Sequence, residues 1–192
     1  NVETTRTSAT IEWTGASDSY KLKYRTAEVP SYFTDFEHGL PEGWTTIDAD
    51  GDGYTWVECG EEGIFSAHSG LNCVTSASYD NYNGVALTPD NWLVSPKLTL
   101  NGTVKAWLKG QDASYAAENF AIYVSTTGTD VTDFTEVLAE TTATSNYVQY
   151  AADLSSYAGQ QGYIAIRHFN VTDMFYLNLD DFGVYTGATT EP

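Results

Sequence analysis

Residues 46–56, TIDADGDGYTW, set Asp48, Asp50 and Asp52 at alternate positions and follow them at once with Gly53. In a tight turn alternate side chains fold to one side, so three hard oxygen donors converge. That suits Ca²⁺, which takes roughly six to eight oxygens at about 2.3–2.6 Å. The spacing matches the first half of an EF-hand loop, with its first three ligand positions and then the turn glycine. The second half does not match. Cys59 holds the place of the bidentate glutamate, and Glu58 comes one residue early. The flanks WTTI and YTWVE are rich in threonine and aromatic residues and read as strands, not EF-hand helices. The expected element is a calcium-type loop between strands, completed by ligands from distant sequence. A plain polar turn is the alternative, because Asp and Gly are turn residues in any case.

The surplus of acid runs through the chain. Of 192 residues 26 are acidic and 8 basic, for a net charge of −18. Between Thr26 and Pro96 there is no Lys or Arg, yet twelve Asp and Glu fall there. A phosphate backbone needs clustered basic residues, so no nucleic acid is expected as a partner. An anionic membrane surface is disfavoured for the same reason. No apolar run reaches the roughly 18–20 residues of a spanning helix, so no membrane insertion is expected. Further acids stand as possible ligands. TDFEHG sets Asp35 and Glu37 on one face of a strand, and GQDASYAAENF supplies Asp112 and Glu118. In NLDDF, Asp180 and Asp181 end an apolar strand and, as neighbours, are expected on opposite faces.

Catalytic chemistry is not indicated. His38, His68 and His168 are the only histidines, and neither G-x-S-x-G nor H-E-x-x-H occurs. His68, beside Ser66 and Ser69, reads as a hydrogen-bonded structural residue, and no catalytic residue is assigned. Trp56, Trp92 and Trp107 read as strand residues of the core. The segment YDNYNG (79–84) reads as a loop presenting Tyr79 and Tyr82, either packed or as a platform for a glycan or protein ligand. Cys59 and Cys73, 14 positions apart, allow one bridge or two separate buried thiols.

The elements that must position these groups are strands. DNWLVSPKLTL, TVKAWLKG, NFAIYVSTTG, FTEVLAET, NYVQYAADL, GYIAIRHF and MFYLNLDDFGVYTG alternate or run apolar between Gly, Asn, Asp, Ser and Pro turns. Many short strands with polar turns predict an all-β sandwich. Short helical turns are expected in TDVTDFTEVL and LSSYAG. At the N-terminus, SATIEWTG with Trp13 and SYKLKYRT with Tyr24 resemble two strands of a fibronectin type III domain, recruited here as an appendage. TGATTEP reads as the start of a linker. The expected division is a strand appendage over 1–30, a sandwich over 31–187 and linker over 188–192.

Five motifs in order, DFEHGLPEGWTTIDADGDGYTW, AHSGLNCVTSASY, TPDNWLVSPKLTL, GQDASYAAENFAIYVSTTG and YIAIRHFNVTDMFYLNLDDFGV, resemble the cleaved-adhesin family over about residues 33–186. These are the adhesin modules of bacterial gingipains and haemagglutinins and related surface modules of Bacteroidetes. The resemblance implies a jelly-roll β-sandwich with structural Ca²⁺, secreted or displayed at the cell surface as one module of a larger chain. It implies Asp48, Asp50 and Asp52 as one ligand set, and Glu37, Asp112, Glu118 and Asp181 as candidates for a second. It further implies a non-catalytic adhesion role toward a host protein or glycan. The alternative is a carbohydrate-binding module attached to a secreted hydrolase.

Overall fold

The computed structural model describes residues 2–4, 9–11, 29–59 and 65–186. Its strands are β1 (Val2–Thr4), β2 (Ala9–Ile11), β3 (Pro30–Thr34), β4 (Thr45–Asp48), β5 (Val57–Glu58), β6 (Val74–Ala77), β7 (Tyr79–Asp80) and β8 (Val85–Ala86). After these come β9 (Asp90–Val94), β10 (Leu98–Thr99), β11 (Thr103–Gly110), β12 (Asn119–Ser125), β13 (Thr135–Thr142), β14 (Val148–Asp153), β15 (Gln161–Phe169) and β16 (Tyr176–Tyr185). Two sheets carry the architecture. One has the order β13-β12-β15-β9-β4, with β10 on β15; the other has β14-β11-β16-β6-β5, with β3 on β16. From β11 to β16 the chain passes back and forth between the sheets, with β11, β14 and β16 in the second and β12, β13 and β15 in the first, giving the sandwich expected from the strand pattern and the jelly roll implied by the resemblance. β1 and β2 pair antiparallel. β2 falls within SATIEWTG and β1 precedes it; the rest of that segment, with Trp13, and all of SYKLKYRT, with Tyr24, lie outside the described residues, as does most of the linker.

Alternation along each strand decides what enters the core. Val104, Ala106 and Leu108 of β11 face Phe120, Ile122 and Val124 of β12 and Ile164 and Ile166 of β15 in one continuous apolar cluster between the sheets. Near β3 an aromatic corner closes this core. The Trp44 ring meets Phe182 edge-on at 5.0 Å and Phe36 at 5.4 Å, and its indole N–H donates to the Tyr32 hydroxyl at 2.7 Å. A smaller cluster lies on the other face of the first sheet, where Trp92, Val94 and Ala165 are covered by Ile47, Tyr123, Phe134 and Tyr163.

The structure departs from the sequence reading at several points. DNWLVSPKLTL is broken at Pro96, which has no N–H for the ladder, into β9 and β10, both paired with β15. β3 ends at Thr34, so Asp35 and Glu37 do not share a strand face. The Asp35 carboxylate accepts the Glu37 N–H, and Phe36 turns to φ 53°. In YTWVE only Val57–Glu58 is strand, and buried Trp56 precedes it. Trp107 sits on a sheet face, half-buried, with the His68 ring stacked on it at 3.8 Å. The short helical turns are single 3₁₀ turns at Val131–Asp133 and Ser155–Tyr157. Cys59 and Cys73 form a disulfide.

Asp180 and Asp181 stand mid-strand in β16, not at its end. The β11–β16 register jumps from Lys105↔Gly183 to Trp107↔Asp180, so two β16 residues oppose Ala106 alone. Asp181 adopts φ 46° in this β-bulge. The bulge suspends the alternation that would put neighbouring side chains on opposite faces. Both carboxylates turn toward the same segment, His68–Ser69.

Candidate functional site

Four connections gather at one end of the sandwich: the aspartate loop after β4, the β7–β8 hairpin and the segments 111–118 and 170–175. Asp48 ends β4 opposite Asn91 at the start of β9, and the Ala49 N–H donates to the Asp90 carbonyl. The β7–β8 hairpin leaves β6 at the same end, where the Ser78 N–H donates to the Phe175 carbonyl. The 111–118 segment enters here too, with the Gln111 N–H on the Tyr176 carbonyl.

In the aspartate loop one oxygen from each of Asp48, Asp50 and Asp52 lies within 4.8 Å of the others. Among the described residues no other group of three or more His, Cys, Asp or Glu converges in this way. The turn is shaped by its own acids. Asp48 accepts the Gly51 N–H at 2.7 Å and the Gly53 N–H at 2.9 Å, while Asp52 accepts the Tyr54 N–H at 2.8 Å. Gly51 (φ 78°) and Gly53 (φ 89°) take up the left-handed conformation this needs. The N–H bonds from Gly53 and Gly51 hold the Asp48 carboxyl below its ordinary pKa. Asp50 is pushed up by burial, by its hydrogen bond with Asp48 and by the charge of Asp52. The loop thus concentrates negative charge beyond what its own donors offset, and its donors are all hard oxygens. That chemistry fits a Ca²⁺ ion.

The loop is tied to the hairpin. The Tyr54 hydroxyl donates to Asp80 Oδ2 at 2.5 Å. Asp80 also accepts from the backbone N–H groups of Tyr82 and Asn83 and from the Asn83 amide, which fixes the hairpin turn. These donors pull the Asp80 carboxyl down to about 2.

The other expected ligands do not form one set. Glu37 accepts the N–H groups of Leu71 and Asn72 at 2.8–3.0 Å. Asp181 accepts the Ser69 hydroxyl at 2.9 Å and faces His68 Nδ1 at 2.5 Å. These two therefore meet the same segment, 68–72, which lies across the outer face of the second sheet. Beside them Asp180 accepts the N–H groups of His68 and Ser69, and burial raises its carboxyl to about 6. Asp112 instead caps the turn at Ser114 and Tyr115. Glu118 is fully buried. Its Oε1 accepts the Ser78 hydroxyl and the Phe175 N–H, both at 2.8 Å, and its Oε2 meets His168 Nε2 at 2.9 Å.

Sequence reasoning missed this last network. His168 Nδ1 contacts Ser76 Oγ at 2.8 Å, and Ser76 Oγ accepts the Asn91 amide at 3.1 Å. Ser76, His168 and Glu118 thus line up like a hydrolytic triad, yet their exposures are 1%, 0% and 0%. A nucleophile must reach its substrate, and Ser76 does not. The network joins β6, β9, β15 and the start of β12 as a structural polar core. Only the burial of isolated polar positions, Ser76 and His168 on strands and Glu118 just before β12, carries its signal, and that requires the sheet pairing to be known.

A cleft of about 360 Å³ opens at the loop end. It is lined by Tyr79 and Asn81 of the hairpin, by Asp112 and Tyr115 of the 111–118 segment, and by Asp173, Met174 and Phe175. Tyr79 therefore lines the cleft. Tyr82 stands 95% exposed at the hairpin tip, outside that lining.

The profile of the Cleaved Adhesin Domain family matches residues 30–184. Hemagglutinin A of Porphyromonas gingivalis is 41% identical over 171 residues, which is 80% of this chain and 6% of that protein. Lys-gingipain W83 of the same organism is 40% identical over 171 residues, 80% of this chain and 10% of that protein. The chain spans only a small part of the length of these relatives. Among solved structures, the K1 cleaved adhesin domain of Lys-gingipain from Porphyromonas gingivalis W83 aligns at a TM-score of 0.74 and 39% identity, covering 82% of this chain and 98% of that domain. The CBM22-1 xylan-binding domain from Paenibacillus barcinonensis aligns at 0.53 and 17% identity, covering 85% and 98%, a likeness of fold alone.

Proposed function

The chain belongs to the Cleaved Adhesin Domain family, and from that premise we propose that it is a non-catalytic, calcium-stabilised adhesion module of a larger secreted or cell-surface bacterial protein. It binds a host protein or glycan through the loop end of the sandwich. In this reading the sandwich begins at β3, the residues before it are an appendage and residues 188–192 belong to a linker. The observation that carries this reading is the aspartate loop beside an aromatic-lined cleft, with Tyr54 joining the two. Asp48, Asp50 and Asp52 hold the ion, and water or backbone carbonyls complete its shell. Ion binding to the folded chain alone stabilises it by mass action. Glu37 and Asp181, both at the 68–72 segment, are the nearest approach to a second set.

Thermal unfolding with EGTA and then with added Ca²⁺ tests the ion, alongside metal analysis. The reading expects a midpoint that falls with chelator and returns with Ca²⁺ but not Mg²⁺. No shift and no bound metal would reduce the loop to a polar turn. Retention on a panel of immobilised extracellular-matrix proteins and neutral glycans tests adhesion, and a module that binds none of them is not an adhesin. The second reading, a carbohydrate-binding module attached to a secreted hydrolase, is favoured by the likeness in fold to the xylan-binding domain. Binding restricted to plant-type oligosaccharides, with a hydrolase in the parent chain, would put it first.

A further inference from the structure

The cleft at the loop end has walls that select by charge. Tyr79, Tyr115 and Phe175 supply ring surface and Met174 a polarisable thioether, while Asp112 and Asp173 supply two carboxylates. Among the described residues no Lys, Arg or His takes part in the lining. Asp112 commits Oδ1 to the N–H groups of Ser114 and Tyr115, which leaves Oδ2 without a bond among the described residues. The Asp173 carboxylate has no hydrogen-bond partner among the described residues, although its backbone N–H is fixed on the Ser78 carbonyl and its φ is 58°.

The described basic residues whose partners are known are engaged elsewhere. Lys97 lies over Tyr163, Lys109 bonds Ser66, and Arg167 is forked on Asp90 at 2.6 and 2.7 Å. The second large cleft, of about 460 Å³, is built around that Arg167–Asp90 pair and has its cation already.

We propose that the first cleft binds a cationic side chain, lysine or arginine, presented by a protein ligand. This deepens the adhesion reading and rests on it for the source of the ligand. Ring faces attract a cation through their quadrupole. The two carboxylates of the lining form charge-assisted hydrogen bonds with an ammonium or guanidinium. The surrounding charge of −18 raises the local concentration of cations and repels sialylated or sulfated glycans. A neutral sugar stacks on the same rings but gains nothing from the net charge of the lining. The site is also fixed before binding. Asp80 holds the hairpin wall through four donors, Asp112 caps its own loop, and the Phe175 N–H is anchored on Glu118.

The test uses fluorescence polarisation with the whole chain and four labelled peptides, acetyl-Gly-X-Gly-amide with X as lysine, arginine, norleucine or citrulline. Lysine and arginine peptides are expected to bind at least about tenfold more tightly than their neutral counterparts. Their affinity should fall when salt is raised to about 0.5 M. The double variant Asp112→Asn/Asp173→Asn should lose that preference with its unfolding midpoint within a few degrees of the parent, whereas Tyr82→Ala, outside the cleft, should keep it. Equal binding of charged and neutral peptides, or full discrimination retained in the double variant, overturns the proposal. Retention on a matrix protein that neither the double variant nor excess lysine peptide disturbs overturns it while leaving the adhesion reading intact. Discrimination between the peptides with no retention on any matrix protein supports the cleft and removes the adhesion reading.

Discussion

Two acid-rich regions of this molecule are built on opposite plans. At the β16 bulge, Asp180 and Asp181 face a segment more than a hundred residues away in sequence, and that segment supplies two backbone N–H groups, a hydroxyl and an imidazole. In the aspartate loop, Asp48, Asp50 and Asp52 meet mainly each other and N–H groups of the same turn. The first region engages its acids through long-range folding. The second is local and ends with charge to spare. Acids of the first kind are part of the fold's stability, and acids of the second kind are available to an ion. Glu118, with every partner supplied by the fold, is the extreme of the first kind.

The sharpest way to break that contrast is Glu118→Ala. It strands His168, the Ser78 hydroxyl and the Phe175 N–H in the core, and should cost about 3–5 kcal/mol in denaturant unfolding, with or without Ca²⁺. A cost below about 1 kcal/mol would show the network to be dispensable. Next is the ion. Ca²⁺ at about a hundredfold excess over its Kd should add about 2.7 kcal/mol, and Asp50→Asn should abolish the gain. If Asp181→Asn abolishes it equally, the division between the two regions fails.

Proton linkage separates the regions again. Asp180 has its carboxyl raised from the ordinary 3.8 to about 6, burial being the main cause. Between those values the folded chain keeps a proton that the unfolded chain has released. Its contribution is therefore complete below about pH 4 and is lost as pH rises toward 6. Comparing Asp180→Asn with the parent over this window, in EGTA, should remove that part of the slope; parallel curves would count against the assignment. The smallest effect is expected for Tyr54→Phe, which deletes the hydroxyl bond to Asp80 and should lower the unfolding midpoint only slightly. It should also reduce any effect of Ca²⁺ on ligand binding at the hairpin, as read by titration with and without the ion.

The same contrast explains what was legible in the sequence. The strand patterns of TVKAWLKG and GYIAIRHF became β11 and β15 almost residue for residue, because alternation is written locally. The aspartate loop was visible for the same reason, since spacing alone brings its oxygens together. Glu118, Glu37 and Asp181 were legible only as acids, because their surroundings come from segments tens to more than a hundred residues away. The bulge at Asp181 could not be read at all: it depends on register against β11, and no residue type announces it. Pairing of Cys59 with Cys73 likewise waited on the fold, which aligns the end of β5 with the start of β6.

The outermost strands carry a further consequence. β5 is two residues long and β4 four, so on one flank the sheets offer little free ladder. On the other flank β13 and β14 are longer, but they carry Glu136, Glu140 and Asp153 and no Lys or Arg. Copies approaching edge to edge bring like charge against like charge, which opposes strand addition and the fibres it would seed. A module with such flanks can be crowded against its own kind and stay a separate particle.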